Sequence, residues 1–136
     1  MADLTITAAN VLASANARRK HGTAGVNLTA GQALYADATD GKKLKLADAN
    51  LSDAAAEVVG IAAHGTLAGQ PIEYIEFDPD FTPGATLVSG TTYILSGTAG
   101  GICPDSDAVS TWRKRILFAA TSTTKANMQL VKGGTI

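Results

Sequence analysis

The chain has 136 residues, a formal net charge of −1, one cysteine and 5% aromatic residues. That length suits one domain, the near-neutral charge provides no field for nucleic acid or an anionic membrane, and the lone Cys103 excludes an internal disulfide and a cysteine-built zinc cluster. Hydrophobic residues make up 46%, but 25 residues are alanine while Leu, Ile, Val and Phe together number 30, so the core is thin and burial against other subunits is expected to supply part of the stability.

Residues 1–27 read as an N-terminal arm. LTIT alternates like a strand, and the Ala-rich AANVLASANARR offers Thr7 as a helix cap. Asn10, Ser14 and Asn16 weaken that helix, and Val11 and Leu12 give it no apolar face, so the expectation is an extended arm with one short helical turn. The opening MADLTITAAN lacks the basic region and apolar core of a secretion signal, and no apolar run approaches the roughly 18 residues that cross a bilayer. Synthesis in a cytoplasm follows as the expectation.

A single β domain is expected over 28–136. It opens with the strand QALYA, the turn DATDG with its hairpin pair Asp40-Gly41, and the strand KLKL, whose alternation sets Leu44 and Leu46 on one face. DANLSDAAAE holds one helical turn started by Ser52 or Asp53. VVGIAA reads as a buried strand with Gly60 at a bulge or close contact. PIEYIEF alternates with apolar residues on both faces, Ile72 and Tyr74 against Ile75 and Phe77, as in a strand covered on two sides. DPDFTPG reads as a proline-broken loop, and PDSDAVSTW as another. RILFAATSTTKANMQLV repeats the plan of VVGIAAHGTLAGQPIEYI: apolar strand, small-residue turn, alternating strand.

A repeat underlies this order. Leu28–Leu46 returns as Leu87–Pro104 at an offset of 59 residues, with Gly31 on Gly90, Tyr35 on Ile94, Thr39 on Thr98 and Gly41 on Gly100. Phe118-Ala119-Ala120 answers Ile61-Ala62-Ala63 at an offset of 57. Together these predict a mainly β fold: a small β-barrel or sandwich built from a pseudo-duplicated strand-turn-strand unit, with an extended N-terminal arm.

The chemistry-bearing residues form no site on this reading. Gly97-Thr98-Ala99-Gly100-Gly101 lacks the Lys-Ser/Thr ending of a phosphate loop and reads as a turn. His21 and His64 have no metal-ligand spacing between them or to a carboxylate. Asp78/Asp80 and Asp105/Asp107 lie beside prolines without the further ligands of a calcium loop. Arg18-Arg19-Lys20, Lys42-Lys43-Lys45 and Arg113-Lys114-Arg115 are short and balanced by acids, with only Trp112 adjoining, which argues against nucleic-acid binding. Cys103 reads as a small apolar residue. No catalytic residue, cofactor or metal is expected, and the chain reads as a presenting surface rather than an enzyme.

The strings GTAGVNLTAGQALYADATDGKKLKLADA, VVGIAAHGTLAGQPIEYI and TLVSGTTYILSGTAGGICP resemble tailed-bacteriophage capsid decoration (cement) proteins, and MADLTITAANVLASANA resembles their N-terminal arms. The resemblance implies a β domain on the outer surface of the virion, bound to the major capsid protein lattice as a homotrimer and reinforcing the expanded head. From position and charge, Leu4, Ile6, Val11 and Leu12 on the arm and Arg18, Arg19, Arg113, Lys114 and Arg115 are the expected capsid or subunit contacts. Changes in residues 2–17 are then expected to weaken particle binding and leave the domain folded. Similar strings in tail fibres and baseplates imply the alternative, a module that recognises a host surface ligand, for which Trp112, Tyr35, Tyr74 and Tyr93 are the aromatic candidates.

Overall fold

Palindromic strand order is the main feature of the computed structural model, which describes residues 3–135. Met1, Ala2 and Ile136, the first two belonging to the expected arm, lie outside the described residues. The strands are β1 (Arg18–Thr23), β2 (Ala33–Asp37), β3 (Lys43–Leu46), β4 (Val58–Ala62), β5 (Pro71–Phe81), β6 (Thr92–Leu95), β7 (Ile102–Pro104), β8 (Arg113–Ala120) and β9 (Ala126–Thr135). Their order in the antiparallel sheet is β3-β2-β4-β5-β9-β8-β6-β7, with β1 beside β5. Read from either end, the order gives the same unit.

The pairing makes the repeat explicit. Ala33, Leu34 and Tyr35 of β2 face Ile61, Gly60 and Val58 of β4, while Thr92, Tyr93 and Ile94 of β6 face Ala119, Phe118 and Ile116 of β8. The bulge falls at the same step in both, Leu34/Tyr35 and Tyr93/Ile94. Ile61 therefore corresponds to Ala119, an offset of 58 and not the 57 of the string comparison. The offset also slips after the turn glycine: Leu34 pairs with Leu46 but Tyr93 with Pro104, so β3 and β7 are 58 apart. The extra residue of the first turn is Lys42, which follows Gly41 into left-handed backbone, φ 61° after 64°. Asp40-Gly41 is thus no two-residue hairpin. A 3-10 turn over Ala38–Asp40, capped by the Asp37 side chain on the Thr39 N–H, makes the connection instead.

Each half curls into a ring, and the N-terminal segment closes both. β1 runs antiparallel to β5 and continues to Ala24, which bridges Leu44 of β3. Inside that first ring Ala24, Leu28, Leu34, Leu44, Ala62 and Ile72 form a small core. On the other side of β5, Ile75 joins the larger core with Phe81, Tyr93, Leu117, Phe118 and Met128. β5 is therefore covered on both faces, as its two-sided alternation predicts. In the second half, Leu4 N–H donates to Ile102 O at 2.7 Å, Thr7 N–H to Gly84 O at 2.8 Å, and Leu12 bridges Thr82. Residues 3–12 thus lie across the gap from β7 to the end of β5. Among the described residues no arm stands away from the domain. The single helical turn is there, at Ala8–Asn10.

Of the proline-broken loop expected at DPDFTPG, the first four residues are in fact the end of β5, which runs on to Phe81, and only TPG lies beyond the strand. Pro79 is exposed and sits where the β5–β9 register shifts between Asp78 and Phe81, so no ladder bond needs its missing N–H. Gly60 sits beside the first bulge, where an added Cβ would lie 2.5 Å from Ile75 O. Ser52 caps the turn over 52–56 through its Oγ on the Ala55 N–H.

Candidate interaction surface

The residues expected to make external contacts divide into spent and free. Val11 is buried in the large core, with Leu4 and Ile6 packed against it. Leu12 is 60% exposed and lines an open groove of about 480 Å³ with Thr7, Thr82 and Thr86. Leu12 is thus the one residue of the four whose side chain is chiefly external. The arm reading missed this because alternation identifies apolar residues without saying which sheet they cover.

The basic runs meet acids of their own chain. Arg18 and Lys20 face Glu76 at 3.7 and 3.3 Å, and Arg19 faces Glu73 at 3.2 Å, across the β1–β5 ladder. Arg18 also lies over the Phe77 ring, 5.6 Å from its centroid. The acidic stretch around Glu73 and Glu76 therefore has β1 as its basic partner. Arg113 Nε contacts Asp53 at 2.7 Å and Lys114 contacts Asp105 at 3.1 Å. Arg115 is 7% exposed and donates to Gly133 O and to Glu57, which also receives Lys132 at 2.8 Å. Arg113 holds the Asp53 carboxyl below the usual range, and Lys132, then Arg115, do the same for Glu57. In the first turn Lys45 lies 2.7 Å from Asp37 and 3.1 Å from Asp40. Lys45, helped by Thr39, holds the Asp37 carboxyl at about 2.

The fold brings both histidines to Glu73, although sequence spacing separates them. His21 Nε2 lies 3.1 Å from the Glu73 carboxylate, and His64 Nε2 accepts the Glu73 backbone N–H at 3.1 Å. His64 Nδ1 is 2.9 Å from Gly65 O, so both ring nitrogens are engaged by backbone. No group of three or more metal-ligating side chains occurs among the described residues. Asp78 is fully buried: its carboxylate accepts from Ser14 N–H at 2.7 Å, from the Ser14 hydroxyl, and from Asp80 N–H at 3.0 Å. It fastens the N-terminal segment to β5, a role that a loop reading of DPDFTPG concealed.

Tyr93 is buried, stacked on Phe118 with its hydroxyl accepting the Val88 N–H, while Tyr35, Tyr74 and Trp112 are half-buried. Cys103 is buried in β7, and burial, with Asp3 next in weight, pushes its thiol up to about 11, which leaves it poorly reactive at neutral pH. No helix among the described residues is long and apolar enough to cross a membrane. No protein-family model matches the chain, and no curated protein matches its sequence.

Proposed function

We propose that the chain is a structural virion protein that binds the outer surface of a phage major capsid lattice and stabilises the expanded head. The observation that carries this reading is the likeness of its two repeated strings to capsid decoration proteins, strings that form the equivalent hairpins β2–β3 and β6–β7. On this reading the mechanism is linkage. A protein that binds the mature lattice and not its precursor lowers the free energy of the mature state by mass action, and it needs shape and stability rather than a reactive group. Trimeric assembly and the major capsid protein as partner belong to the same proposal. Leu12, Arg18 and Arg19 are its most accessible contact residues.

Copy number in purified particles tests it, measured by quantitative mass spectrometry against the major capsid protein. A ratio near one per capsid subunit, or a simple lattice fraction of it, is expected. A handful of copies would assign the chain to a tail fibre or baseplate, and absence from particles would remove it from the virion.

A further inference from the structure

β5 is shared unequally along one edge. Tyr74 pairs with Lys20 on one side and Ala62 on the other, and Phe77 pairs with Arg18 on one side and Gln129 on the other. β4 and β9 therefore take successive stretches of the edge opposite β1 and then part. β9 leaves β5 after Gln129 but stays paired with β8 as far as Thr135. From Leu130 to Gly134 its second edge has no strand partner among the described residues. Clefts of about 410 and 160 Å³ open where the strands part, and both are lined by Val58 and Leu130.

The charges around this fork do not cancel. Arg18, Lys20, Arg115 and Lys132 line it against only Glu57 and Glu76, a local excess of two positive charges on a chain whose net charge is −1. The cations at the rim pair with Glu76 and Glu57 yet keep most of their side-chain surface exposed, Arg18 68%, Lys20 59% and Lys132 65%. Arg115 is 7% exposed and its terminal nitrogens are taken by Gly133 O and Glu57, so its charge is held within the fork.

We propose that the fork between β4 and β9 takes an extended, acidic segment of a partner protein. Its backbone pairs with the free edge of Leu130–Gly134, its apolar residues cover Val58, Leu130 and Val131, and its carboxylates meet the exposed Lys132, Lys20 and Arg18. The two glycines Gly133 and Gly134 let a foreign backbone approach without side-chain obstruction on that stretch. The site does not depend on the virion reading.

The test is a titration of the nitrogen-15-labelled full chain with a blocked synthetic peptide of about six residues, a common strand length, alternating valine and glutamate. The valine–lysine counterpart is the control. Amide shifts are expected at 58–59 and 130–134, weakening as salt is raised. Neutralising Arg18→Gln and Lys132→Gln together is expected to weaken binding about tenfold, with an unchanged spectrum away from the fork showing that the variant is folded. Three results would overturn the proposal: no shift at millimolar peptide, equal binding of the lysine peptide, or shifts outside the fork. Concentration-dependent shifts of the same amides without peptide would also overturn it, by assigning the edge to a second copy of this chain.

Discussion

The two halves share a strand plan but fill it differently. In the first, Leu34 faces Gly60; in the second, the equivalent Tyr93 faces Phe118, which stacks on Tyr93 at 5.2 Å and meets Phe81 edge-on at 6.1 Å. The glycine is required because Ile75 O and the Tyr74 ring occupy the space a side chain would need. In the second half Phe118, opposite Met128 of β9, is buried in the large core beside Tyr93 and Phe81 and fills it with aromatic volume. One backbone plan thus supports opposite side-chain demands, a close backbone contact at Gly60 and aromatic packing at Phe118. Closure differs as well: the first ring is shut by a regular strand, β1, and the second by the irregular segment 3–12 held through isolated hydrogen bonds.

The largest expected effect breaks the second closure. Removing the chain up to Leu12 takes away Val11 from the core and the packing of Leu4 and Ile6 against it, together with the bonds to Ile102, Gly84 and Thr82. At about 1.5–3 kcal/mol for each buried aliphatic side chain, the loss exceeds about 5 kcal/mol and is on the scale of a whole domain's stability. Urea denaturation is expected to show a collapsed midpoint or no folded state. If the truncated chain unfolds at the full-length midpoint, the segment is a detachable arm after all.

Next come the equivalent positions. Phe118→Ala is expected to cost about 4 kcal/mol through the cavity it leaves, and Gly60→Ala about 2 kcal/mol through forced displacement of the β5 backbone. Both are read by chemical denaturation. A neutral Gly60→Ala would mean that β4 and β5 can separate freely, and the contrast between the halves would fail. Asp78→Ala empties a buried position and removes the acceptor of the half-buried Ser14 and the more exposed Asp80 N–H groups, and is expected to cost about 1–2 kcal/mol. Because the latch holds the segment against β5, hydrogen exchange should quicken at Leu12 and Ser14 before it does at Leu34.

Much of this fold is legible in the sequence, and the failures share a cause. Period-two alternation locates β2, β3 and the front of β5, an unbroken apolar run locates β4, and the doubled strings predict the doubled sheet, because those patterns record which faces are covered. The loop expected at DPDFTPG failed because proline ends a strand only where its N–H is needed, and at a bulge it is not. Which sheet the N-terminal segment covers is not legible, because Leu4, Ile6 and Val11 look alike whether they cover their own sheet or another's. Charge runs gave residue types but not partners: nothing along the chain indicates that Arg19 and His21 meet Glu73, since that pairing is made by the β1–β5 register. The fork is invisible for the same reason, being a property of how two strands share a third.

The smallest predicted effect sharpens the comparison at the hairpin turns. Asp37 and Ser96 are equivalent, as are Thr39 and Thr98, and each earlier side chain accepts the later N–H, at 3.0 and 3.1 Å. The first turn adds a charge pair, Asp37 with Lys45, whereas in the second the Ser96 hydroxyl donates to Asp3 of the N-terminal segment at 2.6 Å. Replacing Asp37 by serine copies the second turn into the first, keeps an acceptor for the Thr39 N–H, and removes the charge pair with Lys45 and the carboxylate that accepts the Thr39 hydroxyl. The Asp37 carboxyl is held at about 2, below its ordinary 3.8, so the unfolded chain takes up its proton first as pH falls. The stabilisation is therefore complete above about pH 5 and disappears as pH falls through about 2. Thermal unfolding of the native chain and of Asp37→Ser should differ by a small, constant amount between pH 5 and 7 and converge near pH 2. A difference that persists at pH 2 would show that Asp37 acts through its bond to the Thr39 hydroxyl, with the Lys45 charge contributing little.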